Sequence, residues 1–552
     1  MSPGQGSTLL TYKKNPGMPT YSSEVAVIGA GLAGLSACLE LLDHDIPVIL
    51  LDGSREPRLG GQAHDAFGGM LLVDTPEQAR QRIPDSPERL FDDWLRAARF
   101  GPGDHWGRAW AETYAHQCRG EVYDWLRRLG VRFVPSVQWV ERGLYGDGNS
   151  LPRYHIAWGC GRGMVETLLH HLNKHPNRHR LTTVTGCRIK TLDIAAGRVV
   201  GCLGDAGATE IRVAAEHVLV CTGGIAGNPD KVRQYWDPAL GPVPDNMLSG
   251  THPDIDGALH EQVAALGGQV VNLQRMWNYA AGVGHPEPAW PGHGLSLIPP
   301  RSALWMDGHG RRIGPMPLVS GFDTRELCRW TGHLPYQYSW QVLNYRIAVK
   351  ELAISGTDTN PDFRDRRIMK VLWNTLKGGD PSLVDWLIDH CPDVVTAETP
   401  EALAVRMDER VGEARVDVSG MVNDLLAWDA ALGRHARWHN DDQLRRIRQL
   451  RDWTPDRLRT CRRQPILDRT AGPLVAIRER LISRKSMGGM LTDLHSRVLD
   501  RSGKVIPGLY AAGEAAGFGG GGICGVRSLE GTFLSSCILT GRRAVRGIAG
   551  GL

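Results

Sequence analysis

The stretch SSEVAVIGAGLAGLSACLELLDHDIPVILLD, residues 22–52, constrains this chain more than any other. EVAVIG reads as a short β-branched strand, LAGLSACLELLD as a helix, and IPVILLD as a second strand ending in Asp52. Gly29, Gly31 and Gly34 stand where the first strand gives way to the helix, which Leu32 and Ala33 open. Strand, glycines, helix, strand and acid follow the order of a dinucleotide-binding unit. In such a unit Gly29 allows a tight turn, Gly31 lets a pyrophosphate approach the backbone, and Gly34 lets the helix lie close to the strand. The helix N-terminus offers N–H groups and the positive end of its dipole to the phosphates. Asp52, followed by Gly53, is placed to accept hydrogen bonds from ribose hydroxyls. It would repel a 2′-phosphate, so FAD or NAD is favoured over NADP.

Later segments favour FAD. RLGGQAHDAFGGM, residues 58–70, is a second glycine-rich loop carrying Gly60, Gly61, Gln62, Ala63, Phe67, Gly68 and Gly69. GRVVGCLGDAGATEIRVAAEHVLVCTGG reads as three strands separated by turns and ends in Thr222, Gly223 and Gly224. Near the C-terminus GLYAAGE supplies a further strand with Gly513 and Glu514. Glycine turns that return repeatedly to one nucleotide suit a long FAD buried along its length. No second fingerprint of this quality and no CxxC pair occurs, so neither an NAD(P)H domain nor a disulfide reductase is expected. The electron acceptor is then something other than nicotinamide, a quinone or another small molecule.

A chain of 552 residues is expected to form about two or three domains, or one large domain with an insertion. Its 64 basic and 60 acidic residues nearly balance, which does not suggest nucleic acid as a partner. The eleven scattered cysteines read as reduced thiols in a cytoplasmic protein, and no metal-ligand spacing stands out. Residues 1–21 look like a flexible arm, and no apolar run approaches the length of a membrane span. The oligomeric state is open, with a homo-oligomer allowed.

VIGAGLAGL, GGQA, CTGG, MGGMLTDLHSRVL and IPGLYAAGEA together resemble the flavoprotein superfamily of fumarate reductase, succinate dehydrogenase and 3-ketosteroid Δ1-dehydrogenase. HDAFGGMLLVDTPEQ, GNSLPRYHIAWGCGRGM and NDLLAWDAALGR resemble a bacterial group of FAD-binding dehydrogenases. The resemblance implies an α/β fold: a split Rossmann-like FAD-binding domain of the glutathione-reductase type with an inserted α+β cap. We place the first FAD part at 22–284, the cap at 285–465 and the second FAD part at 466–552. The proline- and glycine-rich run GVGHPEPAWPGHGLSLIPP would mark the crossing. SWQVLNYRIAVKELAIS reads as a cap helix. Gly513 and Glu514 would lie against the ribityl chain. A helix beginning near Leu529, Gly531 and Thr532 would point its N-terminus at the flavin. Gln62 occupies the spacing where succinate dehydrogenases carry a flavin-linked His, which implies non-covalent FAD.

The reaction implied is dehydrogenation of a C–C bond next to a carbonyl in a small organic substrate, a cyclic ketone or an acid. The alternatives are reduction of an α,β-unsaturated acid or ketone, and a non-catalytic flavin-binding role. Arg527 stands where fumarate reductases carry an Arg that grips substrate. Glycines 519–522 could line a pocket without filling it, leaving the Arg527 guanidinium to hold a carbonyl or carboxylate oxygen. An Arg527 that only braces its loop against Glu530 or Glu514 is the other reading. Tyr279 stands where fumarate reductases carry a His, and could shuttle a proton. Tyr338 in HLPYQYSW and Arg325 beyond GHGRRI complete the catalytic candidates. AGPLVA has Val475 where a steroid dehydrogenase would carry Tyr, which lowers the steroid reading.

Overall fold

The computed structural model describes residues 20–54, 58–314 and 319–550. The expected N-terminal arm lies outside them except for Thr20 and Tyr21, which begin the first strand. The fold is mixed α/β and carries two large sheets.

In the first sheet Val505–Ala511, Thr209–Val220, Thr20–Ile28, Val48–Asp52 and Leu181–Thr185 lie side by side in that order, all parallel. A strand alternates its side chains between two faces. Val25, Val27, Val48 and Leu50 enter one apolar core, while Ala26, Ile28, Ile49 and Leu51 enter another. Burial on both faces explains why these strands read as unbroken apolar runs. The helices Leu32–Asp43 and Thr532–Ala549 share the first core. They lie so close that a Cβ on Gly541 would stand 2.4 Å from the Ala33 carbonyl oxygen. Val505–Ala511 pairs with Thr209–Val220, so the end of the chain completes a sheet begun at its start. Trp110, Tyr114 and Cys118 are fully buried in the first core.

The segment read as three strands contains two, Arg198–Ala206 and Thr209–Val220. The second passes unbroken because it pairs on both sides, with Arg198–Ala206 and with Thr20–Ile28.

The second sheet runs Leu304–Met306, Tyr338–Asn344, Leu474–Ser486, Met276–Gly284, Gly294–Ile298 and Ala353–Ile354. Met276–Gly284 and Leu474–Ser486 pair with each other and also with strands from within 285–465. The second sheet thus draws on residues from both sides of the proposed crossings. The proline-rich run after Gly284 connects two neighbouring strands of this one sheet. SWQVLNYRIAVKELAIS is not one helix: Tyr338–Asn344 is a strand, and the helix starts only at Tyr345. The Asn344 side chain accepts from the Ile347 N–H, so a residue that ends the strand also caps the helix. Among the described residues no helix is long and apolar enough to cross a membrane.

Candidate active site

The three fingerprint glycines meet three different environments. A Cβ on Gly34 would lie 2.0 Å from the Gly29 carbonyl oxygen, so the helix packs on the turn with no room for a side chain. Gly29 has φ +104° and lies against the Cys221 carbonyl. Around Gly31 a Cβ would meet nothing within 4 Å. That bare backbone faces open space, which fits close approach by a phosphate. The helix behind it has no side-chain cap, so its first N–H groups remain free to donate.

The other glycine loops converge on the same place. Gly60 donates to the Ala30 carbonyl at 2.9 Å and bridges Gly31, which brings Gly61 and Ala63 alongside. Asp52 accepts from the N–H groups of Ala30 at 2.7 Å and Ser54 at 2.9 Å, which fixes its carboxylate at the end of its strand beside Gly53. Glu514 ties the later loops together. It accepts from the Ser486 N–H at 2.8 Å and from Gln62 Nε2 at 3.1 Å, and a Cβ on Gly224 would lie 2.6 Å from its Oε1. Burial pushes the Glu514 carboxyl up to about 7. Thr222 and Gly223 precede Gly224 on the same turn. A Cβ on Gly68 would lie 2.9 Å from the Cys160 carbonyl carbon, and Phe67 packs edge-on against Phe363. A side chain on Gly69 would overlap the Tyr154 phenol. Gly531, at φ +103°, starts the helix Thr532–Ala549 with no side-chain cap, next to the buried Leu529. Two uncapped helix starts, an open backbone slot and a buried acid between them fit a long, pyrophosphate-containing dinucleotide.

Beside that second helix start lies a compact polar cluster. Glu530 Oε2 accepts from Trp277 Nε1 at 2.7 Å and from the Tyr279 hydroxyl at 3.0 Å. Lys485 Nζ lies 3.3 Å from the Tyr279 oxygen and 4.3 Å from the Phe533 ring centroid. A β-bulge makes this cluster. Trp277 pairs with Lys485 and Asn278 with Ser483, so Arg484 is an extra residue in its strand. The extra residue reverses the alternation and turns Lys485 to the face that carries Trp277 and Tyr279. Burial is the main cause that pulls the Lys485 ammonium down to about 8, with Arg484 adding to it and Glu530 opposing. Burial, reinforced by Glu530, holds the Tyr279 phenol well above its ordinary value. At neutral pH the group therefore holds a protonated phenol beside an amine that titrates close by.

The remaining catalytic candidates are committed elsewhere. Arg527 is 3% exposed. Its guanidinium lies 3.3 Å from Asp147, 3.3 Å from Asp323 and 3.7 Å from Glu141, and it also donates to the Asp147 carbonyl. Its charge is matched by these three acids rather than by Glu530 or Glu514. Glycines 519, 520 and 521 are tightly packed on the side where a Cβ would stand, while at Gly522 the nearest atom would be 3.2 Å away. A Cβ on each of the first three would come within 3 Å of Trp110, the Trp106 backbone or Val271, so their bareness serves close packing. Arg325 pairs with Asp237 at 2.7 Å. Tyr338 is buried in the core of the second sheet. It lines a separate cavity of about 350 Å³ with Asn246, Arg415 and Arg478. Of the four catalytic candidates only Tyr279 joins the cluster at the Gly531 helix start.

No sequence motif marks Trp277, Tyr154 or Ser486, and Glu530 stands out in the sequence only as a partner for Arg527. In SRKSMGG the resemblance offers Arg484 and Lys485 together, where fumarate reductases carry a His, and the bulge that turns Lys485 toward Tyr279 has no sequence signature.

Comparison with known proteins agrees with this geometry. The family described as "FAD binding domain" matches residues 24–534. A KsdD-like steroid dehydrogenase of Mycobacterium tuberculosis is 39% identical over 548 residues, covering 96% of both chains. A KsdD-like steroid dehydrogenase of Mycolicibacterium smegmatis is 39% identical over 536 residues, covering 93% of this chain and 96% of its own. The 3-ketosteroid Δ1-dehydrogenase structure from Sterolibacterium denitrificans superposes with a TM-score of 0.70 at 14% identity, covering 96% of this chain and 100% of that one. An open flavocytochrome c3 fumarate reductase superposes at 0.66 with 20% identity, covering 96% and 79%. With the glycine cradle described above, these matches place the chain in the FAD-binding flavoprotein family of fumarate reductases and ketosteroid dehydrogenases, and it is an FAD-dependent oxidoreductase.

Proposed function

We propose that this enzyme dehydrogenates a C–C bond next to the ketone of a cyclic, steroid-like substrate and passes the electrons to a quinone or similar small acceptor in the cytoplasm. In this reading a split Rossmann-like domain holds FAD, and the second sheet with its helices forms the cap. When bound, FAD supplies the two-electron acceptor for the reaction. Tyr279, seated between Glu530 and Lys485, carries the reading. While Lys485 is charged it donates to the Tyr279 oxygen, and the phenol proton stays directed at Glu530. Once the amine is neutral the hydroxyl can turn its proton to Lys485, and the Tyr279 oxygen takes the proton from the carbon next to the ketone as its own passes to that amine. The uncapped helix start at Gly531 lies beside this group and would face the flavin. The relatives named KsdD-like steroid dehydrogenases support a cyclic ketone, despite Val475. Val475 is 1% exposed in the core of the second sheet, where it pairs with Leu343 and Thr396. Its position therefore says nothing about the substrate.

The test is anaerobic reduction of the bound flavin by 4-androstene-3,17-dione or a related ketosteroid, followed by its absorbance. For dehydrogenation Lys485 must be neutral, so kcat/KM is expected to rise with pH through an apparent value of about 8. Lys485→Met should flatten that profile. In the reductive direction the amine must be charged and the rate would fall over the same range. Reduced flavin that is reoxidised by an unsaturated acid, with no reduction by ketosteroid, would establish the reverse reaction instead.

We expect the FAD to be non-covalent, because Gln62 is engaged with Glu514 and offers no linking nucleophile. Acid precipitation should leave the flavin in the supernatant, and flavin retained in the pellet would refute this.

A further inference from the structure

The helix Ile368–Lys377 is built inside out. None of its ten residues is buried. Five of its six apolar residues form one stripe at i, i+1, i+4, i+5 and i+8, while Val371 is less exposed. Ile368 is 52% exposed, Met369 75%, Leu372 51%, Trp373 57% and Leu376 81%. Asn374 and Thr375 are less exposed than these and lie toward the protein. An amphipathic helix of a soluble domain normally does the reverse. A contiguous exposed apolar face of this kind marks an interaction surface.

The polar residues around the stripe say what covers it. Within the helix and its immediate flanks the charged residues are basic, Arg367, Lys370 and Lys377; Arg366 lies against Gly159, and Asp380 follows after Gly379. Asp362 and Asp365, just before the helix, pair with Arg367 and Lys370 at 3.1–3.9 Å. Lys377 Nζ lies 4.6 Å from the Trp373 ring centroid. An apolar stripe with Trp at its edge and Lys or Arg along its sides is the pattern of a helix lying in a bilayer interface. The apolar side chains enter the acyl boundary, and the cations meet anionic headgroups.

We propose that Ile368–Lys377 docks the enzyme on an anionic lipid surface, lying flat rather than spanning it. The segment just before the helix is pinned to the cofactor cradle. Thr357 donates its N–H to the Asp65 carbonyl, its hydroxyl lies 2.7 Å from the Ala66 carbonyl and 3.0 Å from that of His64, and Phe363 packs on Phe67. A bilayer seated here lies beside the loop Gly60–Gly69. This proposal goes beyond the reaction and does not depend on its direction.

The test is flotation of the FAD-loaded full chain with vesicles of phosphatidylcholine containing phosphatidylglycerol, and with phosphatidylcholine alone. The wild type should float with the anionic vesicles, and added salt should weaken the association. Trp373→Ser combined with Leu376→Ser should lower vesicle binding by roughly tenfold or more. Because neither side chain is buried, the variant should keep its FAD and its turnover with a soluble substrate and dye. A wild type that stays with the protein fraction on both vesicle types would overturn the proposal. So would a wild-type dimer by light scattering that the double variant converts to monomer without any vesicle binding, which would assign the face to a second copy.

Discussion

Tyr279→Phe is expected to lower substrate-driven flavin reduction by about 10²–10³-fold while the protein keeps its FAD. The substitution removes one oxygen and leaves the ring beside Trp277, so packing is nearly unchanged. What disappears is the only phenol that reaches both Glu530 and Lys485 in this cluster. The loss should fall on kcat rather than KM, because in the proposed reaction the oxygen acts on a migrating proton and not on the resting substrate. Glu530→Gln keeps an acceptor for Tyr279 and Trp277, so its cost should be smaller. Single-turnover reduction in a stopped-flow spectrophotometer measures both. Near-normal rates in Tyr279→Phe would move the proton acceptor to another group, with Tyr154 the next candidate beside Gly69 and Gly531.

Arg527→Met should act on stability instead. It would leave Asp323 buried without its cation, and breaking a buried ion pair by removing one partner costs about 3–5 kcal/mol. Burial already drives the Glu141 carboxyl upward, so without Arg527 it is expected to remain protonated through neutral pH. Thermal unfolding should show a clearly lower midpoint, and Arg527→Lys should recover part of it. If Arg527→Met melts normally but its flavin is no longer reduced by ketosteroid, the guanidinium holds substrate after all.

The parts of the proposed site that could be read from the sequence are those where the backbone would do the binding. Gly29, Gly31, Gly34 and Asp52 act through turn geometry and spacing, and both are written in consecutive residues. Arg527 was visible as a lone cation in a glycine-rich loop, but its three acids at 141, 147 and 323 lie far away in the chain. No local pattern could say that its charge was already matched. The glycines before it misled for a similar reason. A bare backbone that lines a pocket and one that packs against Trp106 and Trp110 look the same in sequence. Lys485 was hidden by a single inserted residue, since strict alternation would point it to the opposite face. Tyr338–Asn344 was mistaken for part of a helix because its apolar residues run straight into the helix that follows. The order of the second sheet depends on pairings between strands some two hundred residues apart, which periodicity alone cannot reveal.

The thirteen-residue strand Leu474–Ser486 has a mechanical consequence. Leu474 to Ile477 sit in the core of the second sheet, while Lys485 and Ser486, at the other end of the same strand, touch Tyr279 and Glu514. Strands on both flanks hydrogen-bond along much of its length, so it behaves as a tie-rod rather than a hinge. A load that shifts the second sheet along this axis is delivered to the amine and the buried acid together. Opening the protein by sliding that sheet would pull Lys485 away from Tyr279 and the Ser486 N–H away from Glu514 in one stroke. In such an open form the proposed proton path and the proposed cofactor cradle would come apart at the same moment.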